Sequence, residues 1–94
     1  MQIVQTPRFL EELENILDYI AFDSIAYSIK FQDELEAKIK TIELFPYKYR
    51  QSTKSKDDTV RDLIFHGYVV PYRVNQKNDK IEIIGIFSEN EWEA

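Results

Sequence analysis

The order of apolar and polar positions divides the chain into a helical first half and a strand-rich second half. Residues 2–4 form a short β-prone run that stops at Thr6 and Pro7. Threonine suits a helix N-cap, and proline suits the first helical position, where its missing N–H costs nothing. Beyond it, Leu10, Leu13, Leu17 and Ile20 follow the spacing of one helical face, with Phe9 and Ile16 widening the stripe. The period resets at Asp23 and Ser24, either of which can cap a second helix carrying Tyr27, Phe31, Leu35, Ile39 and Ile42. Pro46 disfavours α conformation in the residue before it and ends that helix near Phe45. Two helices separated by so short a break form an antiparallel hairpin. Each is apolar on one side only, so the pair needs a further layer to cover.

Residues 47–58, YKYRQSTKSKDD, read as a polar loop, and β-like runs follow at residues 59–65, 68–74 and 80–87. His66 and Gly67 join the first two runs and residues 75–79 the last two, which predicts a three-stranded antiparallel meander. A two-residue turn there sets Leu63 opposite Val70 and Arg61 opposite Tyr72. Ile84 and Ile86 make both faces of the third run apolar, as in an interior strand, whereas Pro71 removes one ladder donor from the second. The expected fold is α+β in the order β-α-α-β-β-β. A short N-terminal strand and a helical hairpin pack on a small antiparallel sheet, with residues 1–94 forming one domain.

Composition narrows the function classes. A hydrophobic share of 44% with only two glycines and three prolines supports a packed core and not a disordered chain. No apolar run approaches the roughly 20 residues that span a bilayer, and the opening MQIVQTPRF lacks a basic segment followed by an apolar one. The expected location is cytoplasmic, with no membrane partner. Without cysteine there are no disulfides or thiolate ligands, and one histidine offers little to zinc, so neither metal nor cofactor is expected.

The net charge of −5 argues against a simple nucleic-acid binder. Its distribution is uneven. Four basic and nine acidic residues lie between Arg8 and Glu43, whereas residues 44–56 hold Lys48, Arg50, Lys54 and Lys56 and no acid.

Four features could carry chemistry. Arg61 beside Tyr72 could bind an anion or a flat base, or could close the sheet edge as a cross-strand cation–π pair. His66 could act as a general base, although next to Gly67 it reads as a solvent-exposed turn residue. Asp57, Asp58 and Asp62 could offer carboxylates to a metal, but nothing completes a ligand set, and they read as solvated loop and strand-start residues. YKYRQSTKSK interleaves aromatic rings with positive charge, as nucleic-acid contacts do, and a solvated basic loop has the same composition. Near the C-terminus, Trp92 either packs back on the sheet or docks on a partner.

In order and spacing these pieces resemble the RelE/ParE superfamily of bacterial toxin–antitoxin toxins. FLEELENILDYIA and AYSIKFQDELEAKIKTIELFP look like the family's helical hairpin ending in Phe-Pro. VRDLIFHGYVVPYRV and IEIIGIF look like its arginine-led strand, Gly-Tyr hairpin, Tyr-x-Val strand and last apolar strand. The resemblance implies a growth-inhibiting toxin held inactive by a cognate antitoxin, assembled with it as a heterotetramer or paired as a homodimer. One branch cuts messenger RNA on the ribosome with basic and tyrosine side chains. Here Val69 stands where such nucleases often carry arginine, and the tail reads Ser88, Glu89, Asn90, Glu91. Phosphoryl transfer without nearby cations lacks its main stabilisation, so Arg61 and Tyr72 are weak catalytic candidates.

VRDL and YVVPYRV look closer to the ParE-like branch, which poisons DNA gyrase and needs no catalytic constellation of its own. The implied target- or partner-binding residues are Lys48, Arg50, Lys54, Lys56, Arg61, Arg73 and Trp92. A ribosome-dependent endoribonuclease is the runner-up, and a non-toxic module that keeps antitoxin binding is a third reading. The acidic helices predict a partner with basic residues along its docking surface.

Overall fold

A computed structural model describes residues 1–89. It has β1 (Gln2–Gln5), α1 (Pro7–Asp23), α2 (Ile25–Leu44), β2 (Arg50–Gln51), β3 (Val60–Phe65), β4 (Tyr68–Asn75), β5 (Lys80–Ile83) and β6 (Phe87–Ser88). Thr6 caps α1 by accepting from the Phe9 amide at 3.2 Å, and Ser24 caps α2 by accepting from the Tyr27 amide at 3.1 Å. Each cap satisfies an otherwise orphaned helix donor, worth about 1 kcal/mol. The Thr6 hydroxyl also donates to the Ile83 carbonyl at 2.7 Å, which fixes the start of α1 to the end of β5.

The helical hairpin lies on one face of a mixed sheet ordered β1-β5-β4-β3-β2, with β6 pairing β4. Phe65 opposite Tyr68 closes the hairpin, and Leu63 faces Val70 and Arg61 faces Tyr72 in the expected register. His66 and Gly67 both have positive φ, 47° and 80°, the conformation that a tight two-residue turn between right-twisted strands requires. Phe9, Leu13, Phe31, Leu35, Ile39 and Ile42 from the helices meet Leu63, Phe65, Val70, Tyr72, Val74, Ile81 and Ile83 from the sheet in the core.

Three expectations need correction. First, β1 joins the sheet parallel to β5, with Ile3 opposite Ile81, so the sheet is mixed where an antiparallel one was expected. Second, the run at residues 80–87 is not one strand. It pairs with β4 as far as Ile83 opposite Tyr72, breaks, and resumes with Phe87 opposite Val69, so three residues oppose two as in a bulge. The Pro71 carbonyl accepts from the Ile84 amide at 2.8 Å, so the Pro71 nitrogen also faces this break, where no ladder donor is needed. Third, two members of the expected helical stripes, Leu10 and Tyr27, are exposed, and Ser28 faces inward instead, donating to the Leu17 carbonyl at 3.0 Å; the rest, Phe9 among them, pack in or against the core as expected.

Candidate functional site

The sequence candidates separate into two groups on opposite faces of the sheet. On the helix side, the α2 C-terminus and the chain after it bring Tyr47, Lys48 and Tyr49 over the Arg61–Tyr72 pair. Tyr72 is completely buried; its hydroxyl donates to the Pro46 carbonyl at 2.7 Å, and its ring meets Tyr49 edge-on at 6.4 Å. Burial pushes its phenol well above the usual tyrosine range, partly offset by the nearby Arg61 charge. Arg61 does not stack on Tyr72 as the register suggested, because that ring is sealed in the core. Its guanidinium lies over Tyr47 at 4.9 Å from the ring centre. Arg61 Nε donates to the Asp58 carbonyl at 3.1 Å and Nη1 to the Tyr49 carbonyl at 3.3 Å.

These contacts close a clasp around the segment that leaves α2. Thr41 Oγ1 donates to the Lys38 carbonyl at 2.6 Å, which leaves the Tyr49 hydroxyl, 3.0 Å away, as donor to Thr41. Lys48 Nζ stands 5.5 Å from the Tyr49 ring. Beside the clasp, Leu44, Phe45, Pro46, Tyr47 and Lys48 line an open, largely apolar depression of about 580 Å³. Tyr47, Tyr49 and Pro46 were not among the site residues drawn from the sequence, although the alternation of aromatic and basic residues in YKYR was the visible trace of them.

On the other face, Arg50 of β2 stands opposite Asp62 of β3, with Nη2 3.6 Å from Oδ2. Asp62 was expected to be a solvated strand-start residue. It is instead 1% exposed, and among the described residues neither carboxylate oxygen has a hydrogen-bond partner. Arg73 lies on this face too, 3.9 Å from the exposed Asp57. The Thr59 hydroxyl and amide donate to Asp57 Oδ1 at 2.7 and 2.9 Å and hold its carboxyl below the ordinary range, charged beside Arg73. Lys54 and Lys56 are exposed in the loop before β3, and Trp92 lies outside the described residues. His66 is exposed as expected and meets Glu34 of α2 at 3.2 Å.

Among the described residues no group of three or more His, Cys, Asp or Glu side chains is gathered as a metal site, and no helix is long and apolar enough to cross a membrane. The arrangement offers a cationic and aromatic surface around a tied arginine, suited to docking.

Residues 3–91 match the family described as ParE toxin of type II toxin-antitoxin system, parDE. No curated protein sequence matches the chain. Among solved structures, a chain of the chromosomal ParDE TA system from P. aeruginosa superposes with a TM-score of 0.74 at 20% identity, covering 94% of this chain and 95% of that one. That likeness is one of fold, in agreement with the α+β order described above. The family match spans nearly the whole sequence, and the chain belongs to the ParE toxin family of type II toxin–antitoxin systems.

Proposed function

We propose that this chain is a growth-inhibiting toxin that binds DNA gyrase through its basic loop and is neutralised by a cognate antitoxin. The observation that carries the reading is the state of Arg61. Two backbone carbonyls and the Tyr47 ring hold its guanidinium inside the clasp, so it supports a binding surface and is not directed at a reacting phosphate. Val69, at the position where ribosome-dependent nucleases often carry arginine, is buried in β4 and presents no charge. Lys48, Lys54 and Lys56 are the exposed cations of the loop, next to the apolar rim of Leu44, Phe45 and Tyr47.

The antitoxin is assigned to the free edge of β3. Here β2 pairs only with Arg61 and Asp62, which leaves residues 63–65 without a strand partner on that side among the described residues. A groove of about 520 Å³ runs beside this edge, lined by Glu34, Ala37, Lys38, Thr41, Ile64, Phe65 and His66. An extended segment adding to the edge would gain ladder hydrogen bonds and place alternate side chains in the groove.

The test is induced expression in a bacterial host with and without the neighbouring gene, followed by a supercoiling assay with purified gyrase. Loss of viability, filamentation and DNA-damage signalling, all suppressed by the neighbour, are expected. In the purified assay, a Lys48→Glu, Lys54→Glu, Lys56→Glu chain should inhibit at least tenfold less. Translation arrest with transcript ends inside ribosome-bound codons would move the assignment to the nuclease branch. Full survival with soluble protein would leave a non-toxic binding module.

A further inference from the structure

The two ends of α2 carry exposed apolar surfaces of opposite charge. At its start, the bend of the helical hairpin exposes Tyr19, Phe22, Ile25 and Ile29, with Phe22 92% exposed. Carboxylates flank this tip. Asp18 precedes Phe22 by one turn, Asp33 follows Ile29 by one turn and Asp23 sits at the bend. Lys30, the nearby cation on α2, is 3.9 Å from Glu34.

At the other end of α2, Leu44 is 74% exposed, and Phe45 and Tyr47 stand beside it around the open depression. Here the charge is positive: Lys40 lies one turn before Leu44, Lys48 lines the depression and Arg61 covers the Tyr47 ring. Glu43 is the only acid in the last helical turn, and residues 44–56 contain none.

We propose that copies of this chain assemble head to tail, the acidic apolar tip of one seating on the basic apolar end of α2 in the next. Twenty residues of α2 separate the two surfaces by roughly 30 Å, so they do not meet within one chain. A symmetric tip-to-tip contact would set Asp18, Asp23 and Asp33 against their own copies, and an end-to-end contact would do the same to Lys40 and Lys48. Tip on end joins opposite charges and covers both sets of exposed apolar side chains. Three or four large side chains on each side place the contact in the small, transient class, with dissociation constants of roughly 1 µM to 1 mM.

Sedimentation of the full chain over rising concentration tests it. The average mass should climb with concentration and fall back at high salt, where exposed charges are screened. Phe22→Ser and Phe45→Ser should each remain monomeric. An equimolar mixture of the two should form a dimer and stop there, because Phe22→Ser keeps an intact basic end and Phe45→Ser an intact tip. Leu10→Ser, which removes an exposed apolar side chain elsewhere on α1, should assemble as the parent does. All three replaced side chains are exposed, and circular dichroism checks that the fold is kept. A parent chain that is monomeric throughout, a mixture that stays monomeric, or assembly abolished by only one of the two phenylalanine variants would each overturn the proposal. The last result would indicate a symmetric contact.

Discussion

The Tyr72 hydroxyl donates to the carbonyl of Pro46, 26 residues away, at 2.7 Å, and so ties the middle of the sheet to the turn that ends α2. Pro46 ends the helix, and Tyr72 fixes where the chain goes next. Replacing Tyr72 with Phe keeps the buried ring but removes the donor. A net hydrogen bond contributes about 0.5–1.5 kcal/mol, and a loss of that size in denaturant unfolding is expected. The Pro46 carbonyl loses its donor at the same time, so the fluorescence or exchange of the loop at residues 45–50 should change more than that of β1. A Tyr72→Phe chain as stable as the parent would show that the tie contributes nothing net.

The same burial gives an alkaline limit to stability. The folded phenol titrates above its unfolded value near 10, because the interior disfavours the phenolate. A group raised in this way stabilises the fold fully below its unfolded pKa, and the contribution is lost as pH rises from there through the folded value. Stability should therefore decline above about pH 10. In a tyrosinate absorbance titration, one of the six tyrosines should ionise only together with the loss of circular dichroism. Tyr72→Phe should lose that coupled step. A Tyr72 that ionises while the fold is intact would contradict the assignment.

Asp62 presents a different balance. A carboxylate that is 1% exposed, without a hydrogen bond among the described residues and with a half-exposed arginine 3.6 Å away, is incompletely compensated. Removing the partner leaves the charge buried alone, whereas replacing the carboxylate by an apolar group of similar size removes the cost. Arg50→Ala should destabilise by about 1–3 kcal/mol, less than the roughly 3–5 kcal/mol that breaking a fully buried pair costs, because Arg50 is half in solvent. Asp62→Leu should be neutral or stabilising by about 1–4 kcal/mol. Denaturant midpoints of the two variants decide it. If Asp62→Leu is the more harmful, then the carboxylate has a structural role that its contacts do not reveal.

These residues also mark how far the sequence could be read. The cap at Thr6, the helix end at Pro46 and the register of Arg61 on Tyr72 rest on local rules of capping, proline sterics and turn length and are found where those rules put them, while the second cap falls on Ser24, one of the two residues they allowed. The burial of Asp62 was not legible, because it depends on β2, two residues within a polar loop with no periodic pattern. The stacking partner of Arg61 was missed for a related reason. Register gives neighbours within the sheet, but Tyr47 reaches Arg61 from the end of a helix. The parallel partner of β1 is likewise chosen by the tertiary fold, since four residues, QIVQ, carry no information about direction.

The break between β5 and β6 provides the last test. Gly85 lies in it, buried against α1, and a methyl group there would overlap the Glu12 carboxylate. Glu12 Oε1 accepts from the Ile86 amide at 3.1 Å, while Oε2 is 3.4 Å from Arg8 Nε. Glu12 can swing aside to admit the methyl, but only by abandoning the Ile86 amide. Gly85→Ala should therefore cost about what a hydrogen bond to a charged group contributes, roughly 1.5–3 kcal/mol. Glu12→Ala should cost a similar amount through the same lost bond. The double variant separates this account from simple crowding. If both changes act through one hydrogen bond, then Gly85→Ala adds almost nothing in a chain that already carries Glu12→Ala, and the two effects fall well short of additive. Full additivity in the denaturant cycle would mean that the glycine is required for a reason other than the approach of Glu12.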